Sequence, residues 1–513
     1  MAFSTLILAA GAGTRMKSEK PKVAHEILGK PLLRWAIDAA WAAGSNHVFT
    51  VLGHNHAQTA PLAFDTEIIY QDKLLGTGHA VLMARPALEP LDGDDIVVMS
   101  GDTPLLLSQT ITQLAERRAQ SGAAACLLTF ETANPSGYGR IIRDWAPGAT
   151  ERAPNKQAGT DRWTYEDAWQ HQGDRTQDIA SDTPLVSCPA FRGIVEERDA
   201  NTKQRQIREV NGGVYCFERS SLFSLLQQLR ADNAQKEYYL PDVLTLMVQT
   251  GLSVEVIRVV DASELRGIND RIQLAEVQAL AQQRVNQRLM RAGVTIFDPK
   301  SVWIGPDVEL SHDVEILPFT TLTGQTKVGW GTIIGPSSRV NNSTIGQSCV
   351  VDESVLIDVI LEDRVSVGPR AYLRPGTVMR AGSHAGSHVE IKKSEIGAGS
   401  KVPHLSYIGD ARLGSEVNIG AGSITCNYDG VHKNPTIIGD RSFIGSDTML
   451  VAPVQIGADS VTGAGSVITN DVPSGTLAIA RPPQTNVANW TKRQRKRPTD
   501  SEKNEPSDKG ANA

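Results

Sequence analysis

Short apolar runs alternate with amphipathic stretches through the first half of the chain. The runs Thr5–Ala9, His47–Leu52 and Ile96–Met99 are separated by helix-like segments such as Leu32–Ala43 and Gln109–Gln120. Such alternation predicts an α/β domain over residues 1–271. Residues 272–292 contain no Gly or Pro and are rich in Gln, Ala, Leu and Arg. They predict one long helix, a natural linker over 272–293.

After Gly293 the period changes. Ile304, Leu310, Ile316, Leu322, Val328, Ile334 and Val340 stand six residues apart. The register returns at Ile396-Val402-Ile408, at Leu413-Ile419 and at Ile438-Ile444-Leu450-Ile456, often with Gly next, as at Gly397, Gly420 and Gly445. A hairpin protein would show period two without this longer repeat. Six-residue strands joined by tight corners predict a parallel β-helix over 294–490, the aliphatic residue of each hexad filling a shared core. Two segments stand outside these patterns. Residues 144–190 are polar and predict an extended surface insertion; residues 491–513 mix Lys, Arg, Asp, Glu, Ser and Pro and predict disorder.

Bulk properties narrow the function. A chain of 513 residues exceeds one ordinary core, so two or three domains are expected. The net charge of -6 lacks the basic face of a nucleic-acid partner. Five cysteines without CxxC spacing predict neither a zinc site nor a disulfide framework. The N-terminus lacks the basic start of a secretory signal, and no apolar run approaches the roughly 20 residues of a membrane span. A cytoplasmic protein is expected.

Chemistry is concentrated in two places. In the first, Leu8-Ala9-Ala10-Gly11-Ala12-Gly13-Thr14-Arg15-Met16 follows an apolar run, with Lys22 close behind. Glycines let backbone N–H groups approach phosphate oxygens, and Arg15 and Lys22 can offset the charge gathering on phosphorus. Met16 stands where a dinucleotide fingerprint wants a third Gly, which disfavours a dehydrogenase. Taken alone, Gly11–Arg15 reads better as a plain strand-to-helix turn with solvated charges, and Asp102 has a bland alternative as a cap for the element after Ser100.

These residues have company. Gln71, Gly76-Thr77-Gly78-His79-Ala80, Ser100-Gly101-Asp102-Thr103-Pro104-Leu105 and Asn134-Pro135-Ser136-Gly137-Tyr138-Gly139-Arg140-Ile141 follow in order. Glu196, Asn211-Gly212-Gly213 and Gly267-Ile268-Asn269-Asp270-Arg271 complete the set. In the repeat region, Leu373-Arg374-Pro375-Gly376, Val389-Glu390-Ile391-Lys392-Lys393 and Pro403-His404-Leu405-Ser406-Tyr407-Ile408-Gly409-Asp410 interrupt the aliphatic pattern with ionisable groups. Asn418-Ile419-Gly420-Ala421-Gly422 and Thr425-Cys426-Asn427-Tyr428-Asp429-Gly430 come next. Over nearly its whole length the chain resembles the bifunctional N-acetylglucosamine-1-phosphate uridyltransferase and glucosamine-1-phosphate N-acetyltransferase family.

The resemblance implies a Rossmann-like nucleotidyltransferase domain and a left-handed parallel β-helix that assembles as a homotrimer. It implies acetyl transfer from acetyl-CoA to glucosamine-1-phosphate. Uridylyl transfer from UTP to N-acetylglucosamine-1-phosphate then releases pyrophosphate and yields UDP-N-acetylglucosamine for cell-wall synthesis. Leu8, Ala9, Ala10, Gly11, Arg15, Lys22, Gln71, Gly76, Thr77, Ser100, Gly101 and Asp102 would bind UTP or the product, with Gly139, Glu196 and Asn211 around the sugar. Asp102 and Asn269 would hold Mg²⁺, a pair too sparse to cage calcium but suited to an ion that keeps waters and substrate phosphates as ligands.

In the acetyl-transfer half His404 would be the general base, since imidazole titrates near working pH, with Glu390 a candidate for orienting it or balancing its charge. Arg374, Lys392 and Lys433 would take the sugar phosphate, and Tyr407 and Asn418 the sugar. Asn427 and Tyr428 would lie by the sugar and reach acetyl-CoA, with Ala421, Ser446, Ala464 and Arg481. Two other readings stay open at this level: a nucleotidyltransferase with an inert β-helix, and a trimeric scaffold that senses UTP or a UDP-sugar.

Overall fold

A computed structural model of the chain describes residues 2–11, 13–53, 56–91, 93, 95–144 and 190–491. The expected insertion at 144–190 and tail at 491–513 lie, apart from Asp144, Ala190 and Thr491, outside the described residues. The chain divides into two compact units, the first running through Arg288 and taking in Trp303–Pro306, the second holding Leu289–Val302 and the chain from Asp307 on.

In the first unit nine strands make one mixed sheet: β1 (Phe3–Ala9), β2 (Val48–Leu52), β3 (Glu67–Tyr70), β4 (Asp95–Ser100), β5 (Ala125–Glu131), β6 (Arg140–Arg143), β7 (Phe191–Val195), β8 (Glu209–Phe217) and β9 (Val254–Arg258). Their order is β9-β5-β8-β4-β1-β2-β3, with β6 pairing both β8 and β7. The block β3-β2-β1-β4 is parallel, and β8 runs against β4 and β5. Strand periodicity sends alternate residues to opposite faces. Leu6, Val51, Ile96 and Val98 therefore enter one buried layer, and Ile7, Leu52, Val97 and Met99 the other. Helices α1 (Leu32–Ala42) and α3 (Ser108–Ser121) bring Leu33, Ile37, Ile111 and Leu114 to the second layer. Helices α2 (Thr77–Leu88), α4 (Arg219–Leu226) and α5 (Pro241–Gln249) cover the first with Val81, Leu222 and Val243. Leu8 pairs with Ser100, so the carboxyl ends of β1 and β4 open side by side, where open α/β sheets bind ligands.

The long helix is present as α6 (Arg271–Arg291), but it is no free-standing linker. Val277, Ala281 and Val285, four residues apart, are buried. Arg284 donates to the Leu105 carbonyl at 2.6 Å and to Asp261 Oδ2 and Ser263 Oγ at 2.7 Å, which ties the helix to the first unit.

The second unit is a left-handed parallel β-helix with three faces of 11, 10 and 9 strands. Ile316, Ile334, Val351, Val367, Ala385 and Val402 stack in register on one face, each coil advancing 16 to 18 residues. The hexad residues fill the core as expected, Ile304, Ile334, Val402 and Ile444 being wholly buried; Leu310 is only partly covered. Glycine follows the core residue for want of space between coils. A Cβ on Gly397 would meet the Gly414 carbonyl oxygen at 2.0 Å. The corners are mostly turned by residues with side chains in the left-handed region, Leu405, Asp410 and Glu416 among them. No described helix is long and apolar enough to cross a membrane.

Candidate active sites

The first site lies where β1 and β4 end. The backbone after Ala9 turns through Gly11 to Gly13, whose φ of +60° is left-handed and whose Cβ would fall 2.7 Å from Lys22 Cβ. Only glycine lets Lys22 come this close. The Lys22 ammonium pairs with Asp102 Oδ2 and lies 3.5 Å from Asn269 Oδ1, while Arg15 donates to the same Oδ1 at 2.8 Å. Ser100 Oγ donates to Asp102 Oδ1 at 2.5 Å. Burial alone would raise the Asp102 carboxyl, but the Lys22 charge and the hydrogen bonds from Lys22, Ser100 and the backbone outweigh it and hold it below the ordinary value. Asp102 caps no helix, since α3 begins at Ser108.

The structure thus brings Arg15, Lys22, Ser100, Asp102 and Asn269 together although they span most of the first unit's sequence. Two oxygens, one from a carboxylate and one from a carboxamide, already converge on a cation, so the donor set fits Mg²⁺ shared with phosphates. Among the described residues no group of three or more His, Cys, Asp or Glu could hold a metal ion.

Gln71 is buried at the end of β3, donating to the Gly76 carbonyl at 3.1 Å and meeting His79 Nδ1 at 3.0 Å. Gly76 has φ +104° and no room for a side chain, the Tyr238 carbonyl lying 2.6 Å from its Cβ position. The Thr77 hydroxyl accepts the Leu240 N–H at 3.0 Å, which leaves its proton and one lone pair for a ligand. Across the sheet, Gly139 leaves space filled by Glu196, whose Oε1 would sit 3.0 Å from a Cβ there. Asn211 donates to the Tyr215 hydroxyl at 2.7 Å and accepts from Gly213 N at 3.1 Å. Burial, with Asp242 and Asp199 adding repulsion and Arg140 opposing, pushes the Glu196 carboxyl up to about 7.

The second site is laid out by coil register. Ser387 pairs with His404 on adjacent coils, each two residues past the core residue of its strand. Ala421, Ser446 and Ala464 hold that same place on the next three coils, two residues past Ile419, Ile444 and Thr462. Corner bonds from Leu405 N to Ser387 O, Asp447 N to Ala421 O and Gly465 N to Ser446 O knit the row. Arg481 reaches its end, donating to the Ala464 carbonyl at 2.6 Å. The His404 ring is exposed.

Around the corner, Tyr372, Glu390, Tyr407 and Ile424 form an outward column on the next face. Arg374 directly follows the strand Tyr372–Leu373, and Lys392 ends the adjacent strand Glu390–Lys392. Glu390 is held by Arg374 at 2.8 Å, so the carboxylate offered for orienting His404 is engaged elsewhere. Between Ile419 and Ile444 one coil takes 25 residues. The extra chain is the loop from Asn427 to Asn434, bridged at Tyr428 and Lys433 and shaped by Asp429, which accepts from Val431 N, His432 N and Asn434 Nδ2. That loop delivers Lys433 to Lys392. The close approach of the Lys433 side chain, with some desolvation and the repulsion of Lys433 and Arg374, lowers the Lys392 ammonium below its ordinary range against the pull of Asp410. Three cations gathered this way suit an anion such as phosphate. Tyr428 is 60% exposed beside them. Asn418 stands on the His404 face, in register with Lys401 and Phe443. Sequence reasoning gave Asp410 no role; it stood in a quoted motif, but only coil stacking shows what it touches.

Comparison with known proteins agrees with both halves. The MobA-like NTP transferase domain family matches residues 5–242, and the bacterial transferase hexapeptide family (six repeats) matches 435–470. The bifunctional protein GlmU of Heliobacterium modesticaldum is 45% identical over 479 residues, 93% of this chain and 95% of its own. That of Carboxydothermus hydrogenoformans is 44% identical over 488 residues, 95% and 99% of the two chains. A solved UDP-glucose pyrophosphorylase complexed with UDP-glucose is 16% identical at a TM-score of 0.38, covering 55% of this chain and 100% of that one, too loose a likeness to carry an argument. At such identity over nearly full length, with a nucleotidyltransferase sheet and a hexapeptide β-helix in one chain, the protein belongs to the bifunctional GlmU family.

Proposed function

We propose that this chain makes UDP-N-acetylglucosamine in two steps, acetylating glucosamine-1-phosphate in residues 294–490 and uridylylating the product in residues 1–271. The observation that carries the reading is the row His404, Ala421, Ser446 and Ala464, which stands an imidazole at one end of a column running from coil to coil, one corner away from Arg374, Lys392 and Lys433. The cations take the sugar phosphate. Neutral imidazole at His404 removes a proton from the amine as its nitrogen attacks the thioester carbonyl; the C–N bond forms, the C–S bond breaks and the CoA thiolate leaves. Ala421, Ser446, Ala464 and Arg481 hold the acetyl-CoA, and Tyr407, Asn418, Asn427 and Tyr428 hold the sugar and acetyl end.

In the other half a phosphate oxygen of N-acetylglucosamine-1-phosphate attacks the α-phosphorus of UTP in line, and pyrophosphate leaves without a covalent enzyme intermediate. Arg15 and Lys22 neutralise the phosphates, and Glu196, Asn211 and Gly139 fix the sugar, so positioning and charge supply most of the catalysis. Mg²⁺ held by Asp102 and Asn269 would add charge stabilisation on the same phosphates. Three copies assemble through the β-helix in the cytoplasm, with acetyl-CoA between neighbours. Outward Phe443, Val461 and Leu477, in one register column and 49%, 39% and 61% exposed, support such packing.

Purified protein given Mg²⁺, acetyl-CoA, UTP and glucosamine-1-phosphate should yield UDP-N-acetylglucosamine. His404→Ala should fail from that substrate yet succeed from N-acetylglucosamine-1-phosphate. A wild type that uses only the pre-acetylated sugar would reduce the β-helix to a scaffold.

A further inference from the structure

Asp410 closes the strand Tyr407–Gly409 at a corner, with a left-handed φ of +49°. Three elements meet on it. Its N–H donates to the Lys392 carbonyl at 3.0 Å, its own carbonyl accepts the Thr436 N–H at 3.2 Å, and its Oδ2 accepts Asn427 Nδ2 at 2.5 Å. Just before it, Gly409 has no space for a side chain: a Cβ would fall 2.5 Å from the Tyr407 hydroxyl and 2.8 Å from Asn427 Nδ2. Tyr407 and Asn427 therefore close over this glycine. Asn427 is only 7% exposed, and its backbone is fixed as well, N–H to the Thr425 carbonyl at 2.9 Å and C=O from Asn434 N at 2.7 Å.

A carboxylate can only accept, so the amide nitrogen of Asn427 has to face Asp410. The carboxamide oxygen then points the other way. Without Asp410 the amide could turn over and present N–H groups in its place.

We propose that Asp410 is a positioning residue of the acetyl-transfer site, holding Asn427 so that its side-chain oxygen receives an N–H from a bound substrate. Two substrates carry such a group, the amine of glucosamine-1-phosphate and the amides of the pantetheine arm. The proposal rests on the reading of Asn427 as a substrate contact.

Asp410→Gly tests it, because glycine adopts a φ of +49° without cost and spares the corner. The variant should raise one acetyl-transfer KM on the order of ten-fold, the scale of one lost substrate hydrogen bond, with kcat changed less than about two-fold. A rise for acetyl-CoA assigns the partner to pantetheine; a rise for glucosamine-1-phosphate assigns it to the amine. Asp410→Asn, which tolerates the corner but can donate to Asn427 as well as accept from it, should recover only part of the loss. Uridylyl transfer from N-acetylglucosamine-1-phosphate should not change. Unaltered KM values in Asp410→Gly would overturn the proposal, as would an Asn variant indistinguishable from wild type or a loss confined to kcat and melting temperature. Asn427→Ala separates the two levels. If it acetylates normally, the reading of Asn427 itself falls; if it is impaired while Asp410→Gly is not, only the role of Asp410 falls.

Discussion

A single side chain can carry a pH dependence when burial and neighbours work in the same direction, and Glu196 is such a case. Burial, Asp242 and Asp199 push its carboxyl up to about 7, and Asp242 itself is pushed to about 6 by burial and Asp199. The ionised form is the stronger acceptor for a sugar hydroxyl. The kcat/KM for N-acetylglucosamine-1-phosphate should therefore fall about ten-fold per pH unit below about 7, and Glu196→Gln should lose that limb. Stability moves the other way. Because the folded value lies above the ordinary 4.5, the neutral group's contribution is complete below about 4.5 and is lost as pH rises through about 7. Denaturation of Glu196→Gln against wild type should show its relative gain above pH 7, not at pH 5. The motif marked Glu196 as a candidate for the sugar pocket, but its titration left no mark in the sequence, since Asp199 and Asp242 become its neighbours only through the fold.

Among the elements, the β-helix shows how much a repeat conceals. The aliphatic hexad is visible in sequence because every coil needs one core residue per face. Two positions earlier runs a second column of small polar residues, Thr326, Thr332, Ser338, Ser343, Ser394 and Ser400 among them, all buried. These hydroxyls bond between coils: Ser400 Oγ donates to the Gly414 carbonyl at 2.7 Å and accepts Val417 N–H at 2.9 Å, and Ser394 Oγ takes Ala411 N–H at 2.9 Å. Valine fits the same place, as buried Val359, Val389 and Val417 show. Ser400→Val should thus keep the fold yet strand two buried backbone groups, costing about 1–3 kcal/mol in a denaturant titration. A cost near zero would mean that the column only fills space. The long helix teaches a similar lesson. Its existence follows from composition, whereas its docking depends on Arg284 meeting Leu105, Asp261 and Ser263.

For the whole molecule, each compact unit has its own core and its own cluster of functional groups, so the two reactions should separate cleanly by mutation. Asp102→Asn removes the charge that Lys22 and the proposed Mg²⁺ share. It should cut uridylyl transfer by at least about a hundred-fold and leave acetyl transfer within about two-fold, assayed separately with each sugar phosphate. Loss of both activities would mean that the substitution unfolds the chain or couples the sites. The sequence alone determined the α/β half, the hexad half and the residue types of both sites, because periodicity and short motifs are local properties of the chain. Only the tertiary structure decided which of those residues meet. It set Arg15 and Lys22 on Asn269 and Asp102, took Glu390 for Arg374, brought Lys433 to Lys392 through one long coil, and stood Asp410 behind Asn427. The physical reason is that these contacts depend on strand register and coil length, which arise when distant segments pack together and leave no mark on neighbouring residues.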